Sequence, residues 1–215
     1  MTILPELLAA GGVAGIAAAL AARAARGRRL ASPLPRDPAP EPPDALLAWV
    51  GTGTAEARRG DGWARQPAQD YEFAVVQRRF REHWESVKMM NRRHPDYDGS
   101  AGARDQVHFF RLGFSRGENG DLALALDSSM GAGRGHADAG LRSFEFTLDI
   151  AAPALARRFM PFDRLAFTQR YAYDAARLEE TITLTKAGRP AFRMTEEAAM
   201  LSQTALSGPP GQMAA

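Results

Sequence analysis

Four polar side chains stand where an alternating pattern places them among apolar ones. Gln169 shares phase with Phe167 and Tyr171, Glu180 with Leu178 and Ile182, Glu196 with Met194 and Ala198, and His108 with Phe110 and Leu112. Carboxylates, a tyrosine and a histidine turned into an apolar interior must find partners there. Such a group can line a ligand pocket or move protons. An edge strand or a bulge would instead put some of them in water. His108, Gln169, Tyr171, Glu180 and Glu196 are therefore the candidate ligand-binding residues, and no residue presents itself as a catalytic one.

Other motifs are weaker. His83, His94, His108 and His136 have no metal-binding spacing, and there is no cysteine to complete a site or to form a disulfide. Asp96-Tyr97-Asp98-Gly99-Ser100 begins like a calcium loop, but its glycine falls too early and the closing glutamate is missing. Ser128 to Gly135 is glycine-rich without a following helix, so it reads as a loop between strands and not as a nucleotide fingerprint. Neither a metal nor a cofactor is expected.

The elements that position these residues lie between Val107 and Leu201. Six segments alternate there, carrying Phe110-Leu112-Phe114, Leu122-Leu124-Leu126, Phe144-Phe146-Leu148-Ile150, Leu165-Phe167-Tyr171, Leu178-Ile182-Leu184 and Phe192-Met194-Ala198. Turn signals at 117–120, 174–177 and 187–190 separate some of them, which favours an antiparallel meander. Upstream, Phe73, Val76, Phe80, Trp84 and Val87 recur at helical steps, so a long helix is predicted over 69–92, with Arg78–Glu82 and Arg81–Glu85 as supporting pairs. A shorter helix is predicted after Asp44, over Ala45 to Val50. The expected fold of residues 45–215 is α+β: a helix packed on a sheet of six or more mainly antiparallel strands, cone- or barrel-like.

That order of helix and meander, with a short helical insert near Ala154–Phe159, resembles the calycin and nuclear-transport-factor-like folds. The resemblance is one of shape alone, and it implies a small-ligand cavity without naming a function.

The amino-terminal region reads differently. Ile3 to Ala22 holds one charge, Glu6, and is long enough to span a bilayer core. Arg23, Arg26, Arg28 and Arg29 follow it, which predicts an inner-membrane, single-pass anchor over 1–29 with its amino terminus outside and the later domain cytoplasmic. Gly11, Gly15 and Ala19 form a small-residue stripe suited to helix packing in lipid. Six prolines between Leu30 and Asp44 make a semi-rigid linker over 30–44. Although the formal charge of the chain is +2, the residues after this arginine cluster sum to about zero, which gives no footprint for nucleic acid.

Three functional readings follow. The first is a non-enzymatic accessory subunit of a larger membrane complex, such as an electron-transport or photosynthetic assembly, with other membrane subunits and the bilayer as partners. The second is a membrane-tethered carrier or binding protein for an apolar small molecule or lipid. The third and weakest is an enzyme using Glu180, Glu196 or His108 as base. A filled core favours the first, an empty cavity the second, and a desolvated carboxylate beside a cavity the third.

Overall fold

The computed structural model describes residues 44–80, 82–99, 102–116, 121–151 and 161–205. They form strands β1 (Ala45–Arg59), β2 (Gly62–Arg65), β3 (Tyr71–Arg79), β4 (His83–Asn91), β5 (Asp105–Arg116), β6 (Leu122–Ser128), β7 (Gly131–Ala137), β8 (Ser143–Ile150), β9 (Arg164–Ala172), β10 (Arg177–Lys186) and β11 (Arg189–Ala205). From β3 onward each strand pairs antiparallel with the next, and β1 pairs with both β3 and β11. The result is a closed antiparallel barrel of ten strands, with β2 a short addition on the Glu56–Arg59 end of β1. Closure removes the unpaired edges that an open meander would leave.

Period-two patterning explains the inner face. In β8, Phe144, Phe146, Leu148 and Ile150 are buried while Glu145, Thr147 and Asp149 between them are exposed. The six alternating segments of the sequence are β5, β6, β8, β9, β10 and β11.

The predicted helix over 69–92 is overturned. Its residues form a hairpin, β3 and β4, with Arg79 opposite Trp84. Phe73 and Trp84 enter the core, whereas Val76 and Val87 oppose each other across the hairpin and lie outside the core cluster. Apolar residues on both faces, read along one line, imitate a helical stripe. Arg78 sits opposite Glu85 across the strands, so its expected helical pairing with Glu82 does not apply. The helix expected after Asp44 is likewise β1, in which Ala45, Leu47 and Trp49 alternate inward. Among the described residues the only helical piece is a three-residue 3₁₀ turn, Pro67–Gln69, so the fold is all-β and not α+β. No helix there is long and apolar enough to cross a membrane. The expected anchor with Gly11, Gly15 and Ala19, the linker up to residue 43 and the insert near 154–159 lie outside the described residues.

The glycine-rich stretch expected as a loop supplies β7. A Cβ on Gly133 or Gly135 would run into the carbonyl oxygen of Thr147 or Glu145 on β8, so only glycine lets the two backbones approach at this bend of the barrel. Gly135→Val is expected to destabilise the fold by about 1–3 kcal/mol, since backbone and not a side-chain tip has to move. Thermal melting compared with the neutral exchange of exposed Thr147 tests this, and an unchanged midpoint would contradict it.

Aromatic packing fills the end of the barrel where β1 begins and β11 finishes. Trp84 meets Phe114, Phe144 and Tyr171 edge-on or tilted at centroid distances of 5.2, 5.1 and 6.0 Å. The Arg79 guanidinium lies 3.9 Å from the Trp84 ring centre, and its Nη1 donates to the Tyr173 hydroxyl at 2.9 Å. This stack plugs that end with surfaces that are apolar in the middle and hydrogen-bonded at the rim.

Candidate functional site

Midway down the barrel the inner face turns polar. Lys88 of β4, one of two lysines in the chain, points inward. Its ammonium donates to both oxygens of Glu196 at 2.6 Å and lies 3.3 Å from Glu180 Oε2. The Tyr71 hydroxyl donates to Glu196 Oε1 at 2.6 Å, and Gln169 Nε2 donates to Glu180 Oε1 at 2.6 Å. Glu196 is fully buried, and Lys88 and Glu180 nearly so. Four strands thus contribute to the ion cluster: β4, β9, β10 and β11, with β3 supplying Tyr71.

Burial and neighbouring charge set the protonation of this cluster. Burial pushes the Glu180 carboxyl up to about 7; Lys88 opposes that shift, and the charge of Glu196 adds to it. Burial alone would lower the Lys88 ammonium, but Glu180 and Glu196 outweigh it and hold its pKa above the ordinary lysine value. The Tyr71 phenol is held well above its usual range by burial and by the charge of Glu196, so it serves as a donor.

Two cavities flank the cluster. One lies toward the aromatic plug, among Val75, Gln77, Leu112, Phe146, Tyr171 and Leu178, and reaches Lys88, Glu180 and Glu196. The other lies toward the opposite end, where β4 finishes and β5 begins. Its walls are Phe110, Met130, Phe162, Leu165, Phe167, Ile182, Leu184, Phe192 and Met194, with Lys88, Arg92, Gln106 and His108 on one side. Each has about 50 Å³ open to the centres of water molecules, room for a few waters at most.

The second cavity has an unusual balance of charge. Among the described residues no aspartate or glutamate lines it. His108 is held neutral, its pKa lowered to about 4 by burial and by the charges of Lys88 and Arg92, and its Nε2 lies 3.1 Å from Gln106 Oε1. Arg92 is only 2 % exposed, yet its Nε and Nη1 have no hydrogen-bond partner among the described residues. Its guanidinium sits between the Tyr71 and Tyr97 rings at 5.2 and 5.3 Å.

The chain matches no protein-family model and no curated protein sequence.

The barrel brings most of the sequence candidates together. Gln169, Glu180 and Glu196 meet in the ion cluster, and His108 lines the cavity beyond it. Tyr171 points inward too but belongs to the aromatic plug, edge-on to Trp49 at 5.7 Å. Lys88, Tyr71 and Arg92 were not legible as site residues, because a helix over 69–92 turns them away from the stripe of Phe73, Phe80 and Trp84. The overlooked signal is the alternation Trp84, Ser86, Lys88, Met90, which continues to Arg92. Of the other histidines, His83 stacks on Phe80 at 4.7 Å and His136 lies 3.7 Å from Glu145 on the surface. No group of residues suited to a metal ion occurs among the described residues.

Proposed function

We propose that this barrel is a binding protein for an apolar small molecule, held in the cavity between Arg92 and Phe192. The observation that carries the proposal is an apolar cavity left beside a satisfied ion cluster inside the barrel. A domain whose task is to cap a membrane complex has no need of an internal cavity or of a buried charge cluster. Barrels of eight to ten strands have interiors wide enough for one small ligand. The cavity is narrow, so a ligand larger than a few waters must displace side chains. Met130, Phe162 and Phe192 are only partly buried, and methionine adapts readily to new shapes. The anchor predicted from residues 3–22 would tether this carrier to a bilayer, a source of apolar ligands.

The test is displacement of a polarity-sensitive fluorophore from the full-length chain in amphipol. Ile182→Trp fills the cavity and is expected to weaken binding of the fluorophore about tenfold or more while the protein still melts cooperatively. Unchanged binding in that variant would place the fluorophore elsewhere and defeat the proposal.

One observation favours a second reading as an enzyme. A carboxyl that titrates near 7, such as Glu180, suits general acid–base catalysis beside the plug-side cavity. Against it, both Glu180 oxygens are engaged, by Lys88 and Gln169.

A further inference from the structure

We propose that the ligand is a single-chain amphiphile with an anionic carboxylate head, and that Arg92 holds the head while the hydrocarbon chain lies along Phe110, Leu165, Phe167, Ile182 and Leu184. The inference rests on the binding-protein reading above and deepens it by naming the ligand class.

Three observations converge on it. Arg92 is a buried cation with two unused donors, Nε and Nη1, an arrangement that costs free energy unless something accepts from it. The charges around the cavity are also one-sided. Lys88 is already matched by Glu196 at 2.6 Å, whereas Arg92 pairs with no described carboxylate, so one positive charge is left facing an apolar space. The third observation is that Arg92 is held in place. The Tyr71 and Tyr97 rings bracket its guanidinium, the Tyr97 hydroxyl donates to the Gly102 carbonyl at 2.8 Å, and Arg104 Nη1 donates to the Arg92 carbonyl at 2.8 Å. A guanidinium held in place is a planar set of charged donors of the kind that recognises a carboxylate. His108, held neutral nearby with its Nε2–H donating to Gln106 Oε1, adds no second charge. A cationic head would face Arg92 and Lys88 directly, and a neutral head would leave the guanidinium unmatched.

The experiment uses the full-length chain in amphipol at pH 8, with octanoate, octanol and octylamine competing against a neutral polarity-sensitive fluorophore and empty amphipol as control. In the wild type, octanoate is expected to displace the fluorophore at a concentration about tenfold or more below that for octanol, with octylamine weakest. In Arg92→Met that preference should collapse to about parity, while octanol changes by less than about threefold, and Arg92→Lys should restore part of it. Equal displacement by octanoate and octanol in the wild type overturns the inference and leaves the binding-protein reading standing. So does a carboxylate preference that survives in Arg92→Met. If none of the amphiphiles displaces the fluorophore, the binding-protein reading falls with the inference. Should Arg92→Met fail to fold, the wild-type ranking and Arg92→Lys still decide.

Discussion

Lys88→Met is expected to cost about 3–5 kcal/mol of stability, because it leaves Glu196 and Glu180 buried without their counter-ion. The loss comes from stranding the carboxylates, and the worth of the salt bridge itself is much smaller. A pair of buried charges replaced together by uncharged residues of similar volume is often neutral in effect. The triple variant Lys88→Met, Glu180→Gln, Glu196→Met should therefore recover most of what the single variant loses. Denaturant unfolding of the two variants beside the wild type measures both. A loss below about 1 kcal/mol for Lys88→Met would mean that the cluster is hydrated and not the dry network described above.

The second large effect concerns pH, and it is hidden in the wild type. His108 has its pKa lowered in the fold to about 4 from an ordinary 6.5, so its contribution is present above 6.5 and is lost as pH falls toward 4. Glu180 has its pKa raised to about 7 from an ordinary 4.5, so its contribution is present below 4.5 and is lost as pH rises through 7. Each amounts to about 3 kcal/mol across its window, with opposite sign. Between pH 4.5 and 6.5 the two slopes oppose each other. Removing one exposes the other. Relative to wild type, His108→Gln should grow less stable as pH rises from 4 to 6.5, and Glu180→Gln should gain stability as pH rises from 4.5 to 7. Stability curves for both variants that run parallel to the wild type would show that neither group is shifted as described.

Much of the barrel was legible where one face of a strand is apolar and the other polar. Phe144, Phe146, Leu148 and Ile150 against Glu145, Thr147 and Asp149 state the arrangement of β8 without ambiguity. The same rule turned Gln169, Glu180 and Glu196 inward on β9, β10 and β11, where they meet. It failed in β3 and β4, where Ala74, Val76 and Val87 make the outer face apolar as well, so that two periods fit the same residues. It failed again in β7, where glycines occupy the inner positions and no hydrophobic signal remains to be read. The partners of the candidate carboxylates lie in the hairpin whose pattern imitates a helix, so the inward residues legible in the sequence lack their central cation. Long-range register decides such meetings, since Lys88 and Glu196 are separated by 108 residues along the chain.

The seam between β1 and β11, where Ala45 lies opposite Ala205 and Ala57 opposite Phe192, governs when this chain can fold. A nascent chain still lacking residues 189–205 has every other strand available, yet it presents two long free edges, one on β1 and one on β10. It also has no Glu196 to meet Lys88, whose charge would then be matched only by Glu180 at 3.3 Å. Completion must therefore wait for the last strand to leave the ribosome and cross to the first, a contact of the highest sequence separation the barrel contains and among the slowest kinds to form. During that wait the exposed edges invite pairing with other chains, so the yield of this protein in a cell depends on how fast its final seventeen-residue strand is delivered and on what shields the unfinished barrel until then.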